Sequence, residues 1–134
     1  MNTVSISAYV KRHWGLSQKW DGSRLVPWLD WFINDGRLHT ITRRGRVVGL
    51  GMGRLLLNEA DHAEPYAHDE AGQLAWIDLL ISQDKTVAAR LWGTMLKRFG
   101  MRDKLGFQRD AHAVSAPRFH KFTQMQRIIH YGIK

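Results

Sequence analysis

The stretch "AWIDLLISQDKTVAARLWGTMLKRFG", Ala75 to Gly100, constrains the fold more than any other part of the chain. It belongs to a near-continuous apolar run, Leu74–Ser82, interrupted by Asp78. Such a run reads as a central strand covered on both faces. A short polar turn follows. Val87, Ala88, Leu91, Trp92, Met95, Leu96 and Phe99 then recur at helical spacing across Lys85–Gly100 and make one broad apolar stripe. Asp84 stands at the N-cap position, Lys97 and Arg98 complement the negative C-terminal end, and Gly100 stops the helix. A buried strand feeding an amphipathic helix calls for a layered domain, with the helix packed on a sheet.

The rest of the pattern extends that layer. "SAYVKRHWG", Ser7–Gly15, reads as a short first helix. "SRLVPWLDWFINDG", Ser23–Gly36, is a second, with Leu25, Trp28, Leu29 and Phe32 on one side and Pro27 in its first turn. Leu38–Leu57 divides into two extended runs around Arg44-Gly45, a hairpin signal. Its second run places Gly49, Gly51 and Gly53 on one face and Val48, Leu50 and Met52 on the other. The bare face admits a close-lying backbone or ligand. "GLGMG" has neither the spacing nor the following helix of a dinucleotide fingerprint. Lys104–Val114 reads as a further strand, and Arg118–Ile129 fits a helix or a strand equally well. The expectation is one domain over residues 1–134, of α/β (α+β) class, with helices packed on a mixed central sheet.

Charge and composition narrow the function. Apolar residues make up 44% of the chain, enough for a real core. There is no cysteine, hence no disulfide, thiolate nucleophile or cysteine metal site. The N-terminal stretch lacks the apolar core of a secretory signal, and no run approaches a membrane span. A soluble, cytoplasmic protein is expected. The net charge is +8, but Asn58–Gly72 carries five acids and no Lys or Arg, so the remainder holds 20 basic residues against 7 acidic ones. That field attracts nucleic acid, a nucleotide cofactor or an acidic protein partner.

Two strings carry a family resemblance. "HTITRRGRVVGLGMGRLLL" resembles the second and third strands of the GCN5-related N-acetyltransferases (GNAT), a hairpin leading into a Val-Val-Gly strand. "AWIDLLISQDKTVAARLWGTMLKRFG" resembles that family's fourth strand and the helix that carries the coenzyme A pyrophosphate. The resemblance spans about residues 20–110, a boundary set by pattern alone. It implies a GNAT-like sheet, an acetyl-CoA or other acyl-CoA donor, and acyl transfer to an unknown acceptor. The family places Arg/Gln-x-x-Gly-x-Gly/Ala between strand and helix, so that backbone N–H groups cradle the pyrophosphate. Here Gln83, Asp84, Lys85, Thr86, Val87 and Ala88 occupy the place, without glycine and with a carboxylate. The loop is degenerate, and a catalytically inactive relative is one reading of it.

If the chain is a transferase, Asp78 or His39 is the candidate general base, and Lys85, Thr86 and Arg90 face the donor phosphates. For Asp78 the alternative is a strand carboxylate at a sheet edge or paired with an arginine. His112 and His120 have no spaced partner. His62 and His68 lie among the five acids but match no metal-ligand motif, so no metal is expected. In the alternative reading the chain is a basic, non-enzymatic binding module. Arg43, Arg44 and Arg46 at the hairpin tip then contact nucleic-acid phosphates, supported by Lys97, Arg98, Arg102, Lys104, Arg118, Lys121 and Arg127, and Trp14, Trp20, Trp28 and Trp31 offer stacking surfaces if exposed. A third class is a pure interaction protein, such as a phage structural component or a host-directed inhibitor.

Overall fold

The computed structural model describes residues 3–13, 22–107 and 118–121. Helix α1 spans Thr3–His13 and α2 spans Gly22–Asn34. Strands β1 (Leu38–Arg43), β2 (Arg46–Leu56) and β3 (Leu74–Ser82) follow, with a 3-10 turn at Glu59–Ala63 between the last two. Helix α3 (Lys85–Phe99) then leads to β4 (Lys104–Phe107) and β5 (Arg118–Lys121). The five strands lie in chain order in one sheet. β1, β2 and β3 are antiparallel, β4 joins β3 in parallel, and β5 is antiparallel to β4. α3 is the crossover that a parallel neighbour requires. The domain is α+β, with helices on a mixed sheet.

α1 starts four residues earlier than the sequence pattern suggests. Its buried face is Ile6, Ser7, Tyr9 and Val10, and the Thr3 hydroxyl donates to Asp30 on α2. Pro27 falls at the sixth position of α2 rather than in its first turn, so the helix ladder lacks that N–H. The helix still forms because Leu25, Trp28, Leu29 and Phe32 are all buried against α1 and the sheet. It ends on Gly36 (φ 66°), where Arg37 N–H bonds to Phe32 C=O at 2.9 Å and Gly36 N–H to Ile33 C=O at 3.1 Å. That pair of bonds is a Schellman stop.

The glycine face of β2 belongs to the protein's own helix. A Cβ on Gly49 would lie 2.3 Å from Val87 Cγ1, and one on Gly51 would lie 2.8 Å from Met95 Sδ. α3 therefore sits closer to the sheet than any side chain on those positions allows. Leu50 and Met52, on the opposite face, are fully buried under α1 and α2. Val48 departs from the expected set and packs beside Ile41, Val87 and Leu91. It is the unpaired residue of a bulge, since Ile41 faces Gly49 while Thr42 faces Val47.

A second bulge lies in the central strand. Met52 pairs with Leu79 and Gly53 with Ile77, which leaves Asp78 without an opposite number. Bulges break alternation. Here Asp78 and Leu79 both reach the α1/α2 side. Among the described residues, pairing between β3 and β4 runs from Leu74–Lys104 to Ile77–Phe107.

The segment expected as a strand over Lys104–Val114 is a strand to Phe107, and its remainder lies outside the described residues. Arg118–Lys121 is strand, which resolves that part of the ambiguous segment; residues 122–129 lie outside the described residues. No described helix is long and apolar enough to cross a membrane.

Candidate functional site

The Asp78 carboxylate is held by a buried arginine. Arg54 is 1% exposed and the Asp78 side chain 6%. Arg54 Nε donates to one Asp78 oxygen and Nη2 to the other, both at 3.0 Å. Nη2 also donates to His62 C=O at 3.0 Å, and Nη1 donates to the carbonyls of Ala67 (3.2 Å) and Glu64. All five guanidinium N–H groups are thus used. Burial pushes the Asp78 carboxyl up to about 6, against the pull of the Arg54 charge. With both oxygens engaged, Asp78 offers no free edge to an acceptor's proton.

The arginine also organises the acidic segment. Its three carbonyl contacts fix the chain between His62 and Ala67 over β2 and β3. Trp28 Nε1 donates to Pro65 C=O at 2.9 Å, and the His62 ring stacks on Trp76 at 4.6 Å. The acidic segment is a docked cover rather than a solvated tail.

The same end of the sheet carries a second network. Asp35 accepts from Arg37 Nε at 2.6 Å and Arg98 Nη2 at 3.0 Å, and Glu70 accepts from Arg98 at 2.5 and 3.2 Å. Arg98 and then His68 hold the Glu70 carboxyl down at about 2, and Arg37 lowers Asp35. Buried Arg37 also lies 4.3 Å from the Trp31 ring centre. Asp35, His68 and Glu70 bring ligand-type atoms within 4.8 Å of one another. They do not fit a metal. His68 Nδ1 accepts the Leu55 N–H at 3.0 Å, so the neutral ring carries its proton on Nε2, the nitrogen 3.0 Å from Glu70. Nε2 therefore has no lone pair to give, and the Arg98 guanidinium already supplies the positive charge.

The opposite end of the sheet is basic. Arg44 (φ 53°) and Gly45 (φ 76°) form a two-residue turn of the type whose twist matches a hairpin. Arg43, Arg44 and Arg46 are exposed on it, as are Lys85, Thr86 and Arg90 in the first two turns of α3. The tip is braced to the helix by Arg43 Nη1 donating to Asp84 at 3.2 Å. Asp84 also accepts the Val87 N–H at 2.9 Å, the bond that holds its carboxyl low. A helix N-terminus attracts anions through its free N–H groups. In this protein its own carboxylate fills that position.

The candidate residues are thus dispersed. His39 lies on β1 opposite Gly51, which faces α3, whereas Asp78 faces the α1/α2 side. The two candidate bases sit on opposite faces of the sheet. His39 Nε2 is buried without a hydrogen-bond partner, and burial lowers its pKa. Trp28 and Trp92 are core and Trp31 is half-buried; Trp14, Trp20 and His112 lie outside the described residues. Lys104 is 3.1 Å from Glu59, beside a shallow depression of about 340 Å³ lined by Leu57, Asn58, Glu59, Gln73, Leu74 and Asp103. Arg54 escaped the sequence reading, although a lone charge in "GLGMGRLLL", continuing the Leu50–Met52 face, signals it. Compared with known proteins, the chain matches no family model, no curated protein and no solved structure.

Proposed function

We propose that the chain is a non-enzymatic module that binds nucleic acid through the basic end of its sheet. The observation that carries this reading is a cluster of exposed cations at one end of the sheet, whereas Arg37, Arg54, Arg98 and Lys104 toward the other end are paired with carboxylates. The exposed cations Arg43, Arg44 and Arg46 share that end with Lys85 and Arg90 of α3, while the acidic segment is fastened at the other end by Arg54. Point charges on side chains recognise a phosphate backbone without a backbone-amide cradle. Fluorescence anisotropy of a labelled oligonucleotide tests the reading directly. Binding that weakens steeply with salt supports it, and binding absent at low salt refutes it.

A second reading, an atypical acyl-CoA-dependent transferase of GNAT-like fold, is favoured by one observation. β3 feeds directly into α3 and β4 returns parallel to β3, with Lys85, Thr86 and Arg90 exposed in the first two turns of that crossover helix. In this reading Lys85, Thr86 and Arg90 meet the donor phosphates, and His39 is the base, since Arg54 holds both oxygens of Asp78. Acetyl-CoA at about a hundred times its dissociation constant then raises stability by roughly 2.7 kcal/mol. No thermal shift with acetyl-CoA or coenzyme A rejects it.

A further inference from the structure

We propose that the β1–β2 hairpin tip enters the major groove of duplex DNA. The inference rests on the nucleic-acid reading above and names the form of nucleic acid that the site fits.

Shape and length come first. The tip is a tight two-residue turn closed by the Arg43–Arg46 pair, followed by Thr42–Val47. Thr42 through Arg46 are all exposed, and Val47 is half-buried. The free ribbon is therefore two residue pairs long, about 7 Å at the rise of an antiparallel strand. The major groove of B-form DNA is about 8.5 Å deep and about 12 Å wide, and it admits a two-stranded ribbon. The Arg43–Asp84 contact and the tight turn fix the ribbon's direction before binding, which lowers the entropic cost of docking.

Chemistry then favours the duplex at the described basic end. Modules that hold single strands offer exposed aromatic rings on which bases stack. Among the described residues the exposed large apolar side chains are Val4, Leu57, Tyr66 and Met101. The one aromatic residue in that set, Tyr66, lies in the acidic segment with its ring 5.0 Å from Trp31. The basic end presents arginine and lysine. Arginine forks also match the guanine edge in the major groove. The deep, narrow major groove of A-form RNA refuses such a ribbon.

The test uses the full chain with three labelled probes of equal length at one salt concentration: a DNA duplex, an RNA duplex and an unstructured single strand. The DNA duplex is expected to bind at least about tenfold more tightly than either other probe, the size of one good base contact. R44E/R46E is expected to erase that preference. Both side chains are exposed, and an unchanged circular dichroism spectrum and melting point confirm that the variant folds. Equal or tighter binding of the single strand or the RNA duplex overturns the groove proposal while leaving nucleic-acid binding intact. A DNA preference that survives R44E/R46E overturns the placement of the hairpin. Binding to none of the probes refutes both this inference and the reading beneath it.

Discussion

Replacing Arg54 with methionine removes five hydrogen bonds while nearly preserving side-chain length. The variant leaves the buried Asp78 carboxylate without its counter-charge and the carbonyls of His62, Glu64 and Ala67 without their donor. Breaking a buried pair by removing one partner costs about 3–5 kcal/mol. The acidic segment can swing out and rehydrate its carbonyls, so the cost stays within that range rather than adding a full penalty for each group. In a chain of this length, about 3–5 °C of melting temperature per kcal/mol translates to a fall of roughly 10–20 °C. Urea denaturation reads the free energy, and hydrogen exchange reads the segment. Amides at residues 58–72 are expected to lose protection well before those of β2 and β3. A second change, Asp78→Leu in the Arg54→Met background, removes the stranded charge and is expected to recover about 1–2 kcal/mol relative to additivity. A loss below about 1 kcal/mol with unchanged protection of residues 58–72 refutes the idea that Arg54 fastens the segment.

Three further outcomes follow from the same structure. Asp78 is expected to take up its proton near pH 6, read by carboxyl carbon NMR; its folded-state pKa is raised, so its contribution is fully present below the ordinary aspartate value and is lost as pH rises through about 6. Glu70 has the opposite sign: its pKa is depressed to about 2, so its contribution is present above 4.5 and lost as pH falls toward 2, and Glu70→Gln is expected to flatten that part of a stability–pH curve. Gly49→Ala is expected to cost about 1–3 kcal/mol in urea denaturation by pressing on Val87, and Val87→Ala in the same chain is expected to return part of that loss, because the obstructing atom is a side-chain methyl.

Elements carried by local periodicity were legible in the sequence. The α3 stripe, its Asp84 cap and its Gly100 stop appear where the spacing places them, because one helix face and its two ends are written in consecutive residues. The Arg44-Gly45 turn was legible for the same reason: its backbone needs positive φ at both positions. What escaped is nonlocal. The glycine face of β2 carries no sign of whether a ligand or α3 will occupy it. The bulge at Asp78 depends on the register of two strands more than twenty residues apart in sequence, and only that register puts Asp78 against Arg54. The start of α1 lies earlier than its pattern suggests, where Thr3 finds its partner on another helix. The candidate bases looked alike as isolated polar residues, and only the sheet reveals that His39 and Asp78 face opposite ways.

The most direct measurement of the central claim is the salt dependence of nucleic-acid binding by the wild-type chain and R44E/R46E. Arg43 is engaged by Asp84, which leaves Arg44 and Arg46 in the groove and Lys85 and Arg90 beside it to neutralise phosphate charge. Four such contacts on a duplex give a slope of about −3.6 in log affinity against log salt, a loss of roughly 150-fold between 50 and 200 mM salt. R44E/R46E is expected to reduce the slope by about 2 or more, since two contacts are removed and two repulsive charges are added. A slope near zero, or one that R44E/R46E leaves unchanged, contradicts recognition of nucleic acid through the basic end of the sheet.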